Sequence, residues 1–460
     1  MTRGVTWPVG DPAYATRMPT PAAAARGRIP WGFAELFVLS QTALPALLYL
    51  PGTQPLRLPI RMSAFIISLV ALGWWLLYPA RHRQPHAAYG WVAAVFGLLV
   101  LMLFHPTTGS LYGGLAHIMV YVAVIAPFFW APAFVSSPDH LARLLGLILI
   151  CSGINSLVGV LQVYAPGTFM PTELSRMITD SSVGLGPVTY AGPDGRLIVR
   201  PPGLFDTPGA VAGPAMFATL LGAVFGLSAL PRWIRVGSFG FSAAGIAAVY
   251  LTHVRVSFVM ALLMFIAYAF ALIAQRRVAK ATTVATIGAS VGLIGFAIAL
   301  ALGGASVSER FLTLLASDPV EVYYGARGIQ LSYSLSELLY DYPLGAGLAR
   351  WGMAAAYFGS GMPTMWAELQ VTGWLIDGGV PMLLLYSGAL FVVARSQYRI
   401  VRLTQYPKVA ACAAVVFALS MGPIAMVLSF TPFVTQIGVQ FWFLAGALHG
   451  VAATAGLHDA

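Results

Sequence analysis

The chain is a succession of apolar stretches, each close to the ~20 residues that a helix needs to cross the hydrocarbon of a bilayer. They fall near Phe33–Tyr49, Ile60–Tyr78, Ala88–Phe104, Leu111–Val135 and Leu141–Val163, then Ala210–Leu230, Gly237–Leu251, Ser257–Ile273, Thr282–Leu302, Val371–Ala394, Val409–Phe430 and Phe433–Val451. A water-soluble globule is excluded, because 58% of the 460 residues are hydrophobic and only 9% are charged, against about 25% charged in soluble domains. A disordered chain and a conventional nucleic-acid-binding domain are excluded with it. The net charge of +10 reports topology first in such a chain. Cys151 and Cys412 both sit in apolar runs and give no raw material for a disulfide framework or a zinc cluster.

The expected fold is therefore an all-α membrane protein of about 12 transmembrane helices. The weakest of the windows is Gly237–Leu251, which is short and rich in glycine. With the N-terminus placed in the cytoplasm, the inside segments hold Arg81, Arg83, Arg143, Arg232, Arg235, Arg276, Arg277, Lys280, Arg395, Arg399, Arg402 and Lys408. The tail adds Arg3, Arg17, Arg26 and Arg28, which makes 16 of the 25 basic residues, while short outside loops hold Arg57 and Arg61. The bias of Lys and Arg towards the cytoplasm fixes this orientation, with both termini inside.

The chain divides accordingly. Residues 1–30 read as a disordered basic cytoplasmic tail, 31–163 as the first five spans, 164–206 as a long outer loop and 207–302 as spans six to nine. Residues 303–368 form a larger outer loop, 369–453 the last three spans and 454–460 a cytoplasmic tail. The two long outer loops carry 10 of the 15 acidic residues of the chain. Long ordered loops tend to carry function. In the second, Glu321 to Tyr340 sets Ile329, Leu331, Leu335, Leu338 and Leu339 among polar residues, which predicts an amphipathic helix or helix pair on the outer membrane surface.

Four charged side chains stand out. Arg200 closes the first long loop in Arg200-Pro201-Pro202-Gly203-Leu204-Phe205-Asp206. It reads either as an interfacial anchor that snorkels, neutralised by Asp206, or as a functional cation. Arg255 lies in Thr252-His253-Val254-Arg255, between two apolar runs with almost no loop. A cation there costs at least ~2.5–3.5 kcal/mol at bilayer depth, which favours a functional role over an anchor; His253 alone reads as a hydrogen-bonded structural residue. Arg327 lies on the expected surface helix, ahead of the turn Asp341-Tyr342-Pro343-Leu344-Gly345-Ala346-Gly347. That turn lacks the Lys-Ser/Thr of a nucleotide-binding loop, and serves either as a tight turn or as a backbone approach to a ligand. Glu368 opens the tenth span, followed by Asp377 and Gly378-Gly379. It reads either as a base or cation partner or as a carboxylate stabilised by the helix dipole.

Taken in order, these pieces resemble the superfamily of O-antigen ligases and O-antigen polymerases, polytopic membrane glycosyltransferases. Arg200-x-x-Gly203-Leu204-Phe205 is similar to the family's Arg-x-x-Gly turn, and His253-Val254-Arg255 stands where it commonly has Ser-Arg. Arg327-x-x-x-Leu331 and Pro343-Leu344-Gly345-x-Gly347 match its outer-loop patterns, and Glu368 to Gly379 keeps the spacing of its last motif. The likeness covers roughly Arg200 to Ala394; the first five spans agree in number and length alone. Glu368-Leu369 stands where the family's ligases have His followed by Asn, Ser or Gln, which leans towards a polymerase.

The resemblance implies an enzyme of the bacterial inner membrane that transfers undecaprenyl-diphosphate-linked oligosaccharide repeat units to an acceptor glycan, a growing exopolysaccharide or O-antigen chain, with a chain-length regulator as a further partner. Arg200, Arg255 and Arg327 would bind the diphosphate, and Glu368, Arg327 and Arg255 would act in catalysis. No Asp-x-Asp motif occurs in the outer loops, so neither a divalent metal nor another cofactor is expected. A ligase that moves the finished glycan to lipid A–core or protein shares this chemistry. A transporter or flippase of lipid-linked glycans is the alternative of another class, for which ionisable groups near the midplane and repeated halves are the marks.

Overall fold

The computed structural model describes residues 32–77, 85–174, 188–316, 318, 321, 323–358 and 363–457. The expected tail at 1–30 lies outside the described residues, as do parts of both long outer loops and 458–460 at the C-terminus. The fold is all-α in its apolar parts. Among the described residues nine helices are long and apolar enough to cross a membrane. Three shorter apolar helices, Phe33–Tyr49, Tyr89–Met102 and Ala212–Gly226, accompany them.

In chain order the principal helices are α1 (Phe33–Thr42), α2 (Arg57–Leu77), α3 (Tyr89–Met102), α4 (Leu111–Ile125), α5 (Pro127–Phe134) and α6 (Pro138–Tyr164). After the first long connection come α7 (Ala212–Gly226), α8 (Arg232–Leu251), α9 (Arg255–Ala274) and α10 (Val278–Gly303). The second long connection holds α11 (Ala305–Ala316), a mixed helical segment α12 (324–341) and α13 (Gly352–Phe358). The chain closes with α14 (Gln370–Leu403), α15 (Pro407–Met426) and α16 (Gln436–Thr454).

The weakest window of the sequence proves to be part of a full helix, α8. Its small residues are its interface: a Cβ on Gly245 would lie 2.8 Å from the Ala215 carbonyl of α7, and one on Gly222 of α7 would lie 2.5 Å from the Ser238 carbonyl of α8. Apolar side chains gain little from leaving lipid, so helices in a bilayer associate by such close backbone approach.

The first long connection contains a β-hairpin that the sequence reading leaves as loop. Thr189–Ala191 (β1) pairs antiparallel with Leu197–Val199 (β2). Gly195, at φ 75°, makes the turn, and the Asp194 carboxylate accepts the Arg196 amide at 3.1 Å. The hairpin reaches the second connection: Ser306 of α11 donates to the Ala191 carbonyl. Beyond it, Gln162 of α6 grips Gly203 through both amide atoms, at 2.7 and 2.8 Å, and Asn155 accepts the Leu204 amide at 3.0 Å. Gly203 needs its positive φ of 67° and has no room for a Cβ, which would overlap the Asn155 side chain.

The second connection is largely helical among its described residues. In α12 two π turns, Tyr324–Gly328 and Ser334–Leu338, alternate with α turns. Gln330, Ser334 and Leu338 are buried, at 2%, 0% and 1% exposed, whereas Ile329, Leu335 and Tyr340 are 66%, 52% and 85% exposed. Ser334 shares a hydrogen bond with Thr372 of α14 at 2.6 Å, and Leu338 joins one buried cluster with Val371, Leu375 and Ile376 of that helix, so a mixed polar and apolar face docks on the bundle. Ile329, Leu335 and Tyr340 turn away from protein, which suits a helix lying against lipid.

In α14 the helix is broken at Gly378 and Gly379. The glycine-rich turn Pro343–Gly347 packs into the break: the Val380 amide donates to the Pro343 carbonyl at 3.0 Å and the Ala346 amide to the Ile376 carbonyl at 2.7 Å. Backbone freed inside a membrane must be satisfied by protein, and here one segment satisfies the other. The turn thus serves as a structural plug, the tight-turn alternative, rather than as a cradle for a ligand.

Candidate functional site

The ends of α1, α2, α7, α9 and α16 that lie nearest the two long connections enclose a cavity of ≈ 500 Å³, to which both connections contribute. Its size falls within the range of small-molecule sites, about 300–1,000 Å³. Arg200 and Arg327, 127 residues apart in sequence and drawn from different loops, both line it, with Arg61 of α2. Much of the remaining wall is apolar, including Phe65, Phe205 and Phe430.

Each cation is placed by local structure. Arg200 follows β2, and its amide donates to the Val188 carbonyl at 2.9 Å. Its guanidinium sits lower in pKa than usual, first through burial and then through the charge of Arg310 on α11. Among the described residues Arg200 has no carboxylate partner, and its Nε is buried without a hydrogen bond. Asp206 does not neutralise it; that carboxylate takes Arg57 at 2.6 Å and Arg61 at 2.5 Å instead. Arg310 is a cation of this region that the sequence reading did not single out; only its place on a short amphipathic helix could have flagged it.

Arg255 is the first residue of α9, directly after a tight turn in which His253 adopts φ 56°. A cation at a helix N-terminus meets the positive end of the macrodipole, an arrangement that suits an anion bound there. Its side chain is not part of the cavity wall, although Val254, Val256 and Ser257 are. His253 stacks on Tyr190 of β1 with ring centroids 3.8 Å apart. Burial, followed by the charges of Arg200 and Arg310, holds its pKa at about 4, so the ring is neutral at pH 7.

Arg327 lies in the first π turn of α12, a local widening that often marks functional sites. Burial depresses its pKa. It forms an ion pair with Glu368, the two side chains being 35% and 37% exposed. Glu368 precedes α14 rather than opening it, and the Trp366 indole donates to its carboxylate at 3.2 Å. The residue that orients this strap is Gln330: its Oε1 accepts the amides of Glu368 and Leu369 at 2.9 and 3.1 Å, and its Nε2 donates to the Trp366 carbonyl at 3.0 Å. Gln330 was in view inside the Arg327-x-x-x-Leu331 stretch, but nothing in its local sequence distinguishes it from a solvated glutamine.

The structure therefore joins Arg200, Arg327 and Glu368, the first two on the cavity and the third through its ion pair, and sets Arg255 beside them. Below lies a buried polar knot. Asp377 is fully buried and accepts from the Tyr121 hydroxyl at 2.6 Å, the Trp351 indole at 2.9 Å and His117 Nε2 at 3.1 Å. The sequence analysis names Asp377 only as following Glu368 and does not single out His117. Together they join α4, the second connection and the break in α14.

A second cleft of ≈ 190 Å³ runs between α2 and α4 under α13, and its wall is apolar, including Ile66, Met119 and Tyr357. Phe65 and Met353 belong to both walls, so the cleft abuts the cation-lined cavity. Compared with known protein families and with curated proteins, the chain matches none.

Proposed function

We propose that this protein transfers a glycan from a polyprenyl-diphosphate carrier to a sugar hydroxyl at the outer face of the bacterial inner membrane, extending an exopolysaccharide or O-antigen chain as a polymerase. The observation that carries the reading is the convergence of Arg200 and Arg327, from separate outer loops, on one half-enclosed cavity. On this reading the nine long and three shorter apolar helices among the described residues would make twelve crossings with both termini inside, and the cavity would open to the outer side.

In the reaction the acceptor hydroxyl attacks the anomeric carbon and the bond from that carbon to the diphosphate oxygen breaks. The carrier diphosphate leaves with its added negative charge, and the hydroxyl proton passes to a base. Guanidinium groups suit the leaving group because they are permanently charged and fork onto phosphate oxygens. In a site shielded from water such charge stabilisation is worth far more than in solution. Arg200 and Arg327 take the diphosphate, Arg255 and its helix N-terminus supply further positive potential, and the apolar cleft between α2 and α4 receives the first isoprene units. Glu368 takes the proton: when the diphosphate draws Arg327 away, the carboxylate is released to the acceptor hydroxyl.

Attachment of the finished glycan to lipid A–core or protein would use the same groups, and the acceptor supplied in the assay separates the two. Transport of a lipid-linked glycan is the second reading. It is favoured by the broken helix α14 with Asp377 and His117 buried beside the break, as in transporters with discontinuous helices. The separating experiment supplies purified protein in proteoliposomes with lipid-linked repeat units. Transfer yields free carrier diphosphate and longer glycan, whereas transport relocates the lipid with its glycan intact.

A further inference from the structure

The cation-lined cavity has a second, neutral wall that the diphosphate does not explain. Gln41 and Thr42 at the end of α1 face it, with Gln436 and Gln440 on the first turns of α16. Gln41 is 2% exposed. Neither its Nε2 nor its Oε1 has a hydrogen-bond partner among the described residues. An amide buried in this way leaves the desolvation of both its polar atoms uncompensated.

The kind of ligand follows from which atoms are unmet. A diphosphate only accepts hydrogen bonds, so it can satisfy Nε2 and leaves Oε1 unpaired. An isoprenoid chain satisfies neither. A sugar ring carries hydroxyls that both donate and accept, and adjacent hydroxyls present the two functions side by side. Sugar-binding walls combine such carboxamides with apolar rings, and here Phe65, Phe205 and Phe430 line the same space.

We infer that Gln41 recognises the hydroxyl groups of the first sugar of the donor, the residue joined directly to the diphosphate. This rests on the carrier-lipid reading above and adds to it a saccharide subsite on α1 and α16.

The test uses purified full-length protein in nanodiscs and two kinds of probe. One is undecaprenyl diphosphate without sugar; the other is the same lipid bearing one glucose, galactose or N-acetylglucosamine. Affinities are measured for the wild type, Gln41→Leu and Gln41→Asn. At least one glycosylated probe should bind the wild type about tenfold more tightly than the bare lipid. Gln41→Leu should lose that increment and keep its affinity for the bare lipid, and Gln41→Asn should retain part of the increment. Removing an unpaired buried amide should also raise the melting temperature of the empty protein, so misfolding does not confound the result. An increment that survives in Gln41→Leu overturns the inference and leaves water as the partner of Gln41. So does a wild type that binds bare and glycosylated lipids alike. If the wild type fails to bind even the bare lipid, it is the carrier-lipid reading itself that fails.

Discussion

Arg327 and Glu368, 41 residues apart on either side of the glycine-rich plug, close an ion pair at the edge of the cavity, and Gln330 holds the strap that carries the glutamate. An exposed pair of this kind contributes little to stability, about 0–1 kcal/mol. Its interest lies in what each partner does when a diphosphate competes for the guanidinium. Arg327→Ala should abolish transfer while the protein still inserts, and Arg327→Lys should restore it poorly, since an ammonium lacks the bidentate fork. Glu368→Gln should slow turnover by about 10²–10⁴-fold if the carboxylate is the base. Turnover of lipid-linked repeat units by purified variants measures both. Near-normal rates in Glu368→Gln would reduce Glu368 to a tether for Arg327.

Arg200 should behave differently from Arg61, although both line the cavity. Arg200 has no carboxylate partner among the described residues, whereas Arg61 is shared with Arg57 by the buried Asp206. Arg200→Ala should therefore cost about 10²–10³-fold in turnover with an unchanged melting temperature. Asp206→Ala should destabilise by about 3–5 kcal/mol, because it leaves two guanidinium groups facing each other. Thermal unfolding of the detergent-solubilised variants beside their turnover separates the two outcomes.

Gly379 should tolerate no side chain. Its φ is 61° and a Cβ would overlap the Pro343 carbonyl oxygen, so Gly379→Ala must push the plug out of the helix break. The expected loss is about 1–3 kcal/mol or more, read as a lower melting temperature or as failure to recover folded protein. Gly97→Ala in α3 is the control: nothing lies within 4 Å of that position, and a helix interior gains about 0.5–1 kcal/mol from the change.

Stability should fall in mild acid through His253. Its folded pKa of about 4 lies below the ordinary 6.5, so between these values the unfolded chain binds the proton and the folded protein does not. The contribution is fully present above about pH 6.5 and is lost as the pH falls towards 4. His253→Asn keeps a residue that accepts positive φ and should flatten the slope of melting temperature against pH across that window. An unchanged slope would place the titration elsewhere.

Much of this fold was legible in the sequence because lipid imposes a simple rule: a crossing helix is a long apolar run, as in α6 or α10. The helix of the second connection was legible from Glu321 to Tyr340, but not which of its residues meet the bundle. Its polar residues Gln330 and Ser334 meet polar partners on the bundle, and only the fold reveals that Thr372 stands opposite. The Asp377 knot was illegible for the same reason, since Tyr121, Trp351 and His117 come from distant parts of the chain. The hairpin at Thr189–Val199 was too short for strand periodicity to register. Among the site residues, Arg200, Arg327 and Glu368 were found because charge is costly in an apolar chain, while Gln41, neutral and set between Ser40 and Thr42 at the end of a helix, carries no such signal.

The orientation rests on the basic residues of the inside loops. Single cysteines at Lys280, between α9 and α10, and at Ser308 on α11 report it, on a background with Cys151 and Cys412 replaced by serine. A membrane-impermeant maleimide should label Ser308→Cys in intact cells and Lys280→Cys only after permeabilisation. Labelling of Lys280→Cys from outside would invert the topology and put the cavity on the cytoplasmic side.

The most direct measurement of the central claim is carrier release. Purified protein in proteoliposomes is given polyprenyl-diphosphate-linked repeat units, and free polyprenyl diphosphate and glycan length are followed together. The account predicts that diphosphate appears in step with lengthening glycan in the wild type, and that both vanish in Arg200→Ala and Arg327→Ala. Bound lipid that is neither cleaved nor extended by folded wild-type protein, or that crosses the bilayer with its glycan intact, would contradict it.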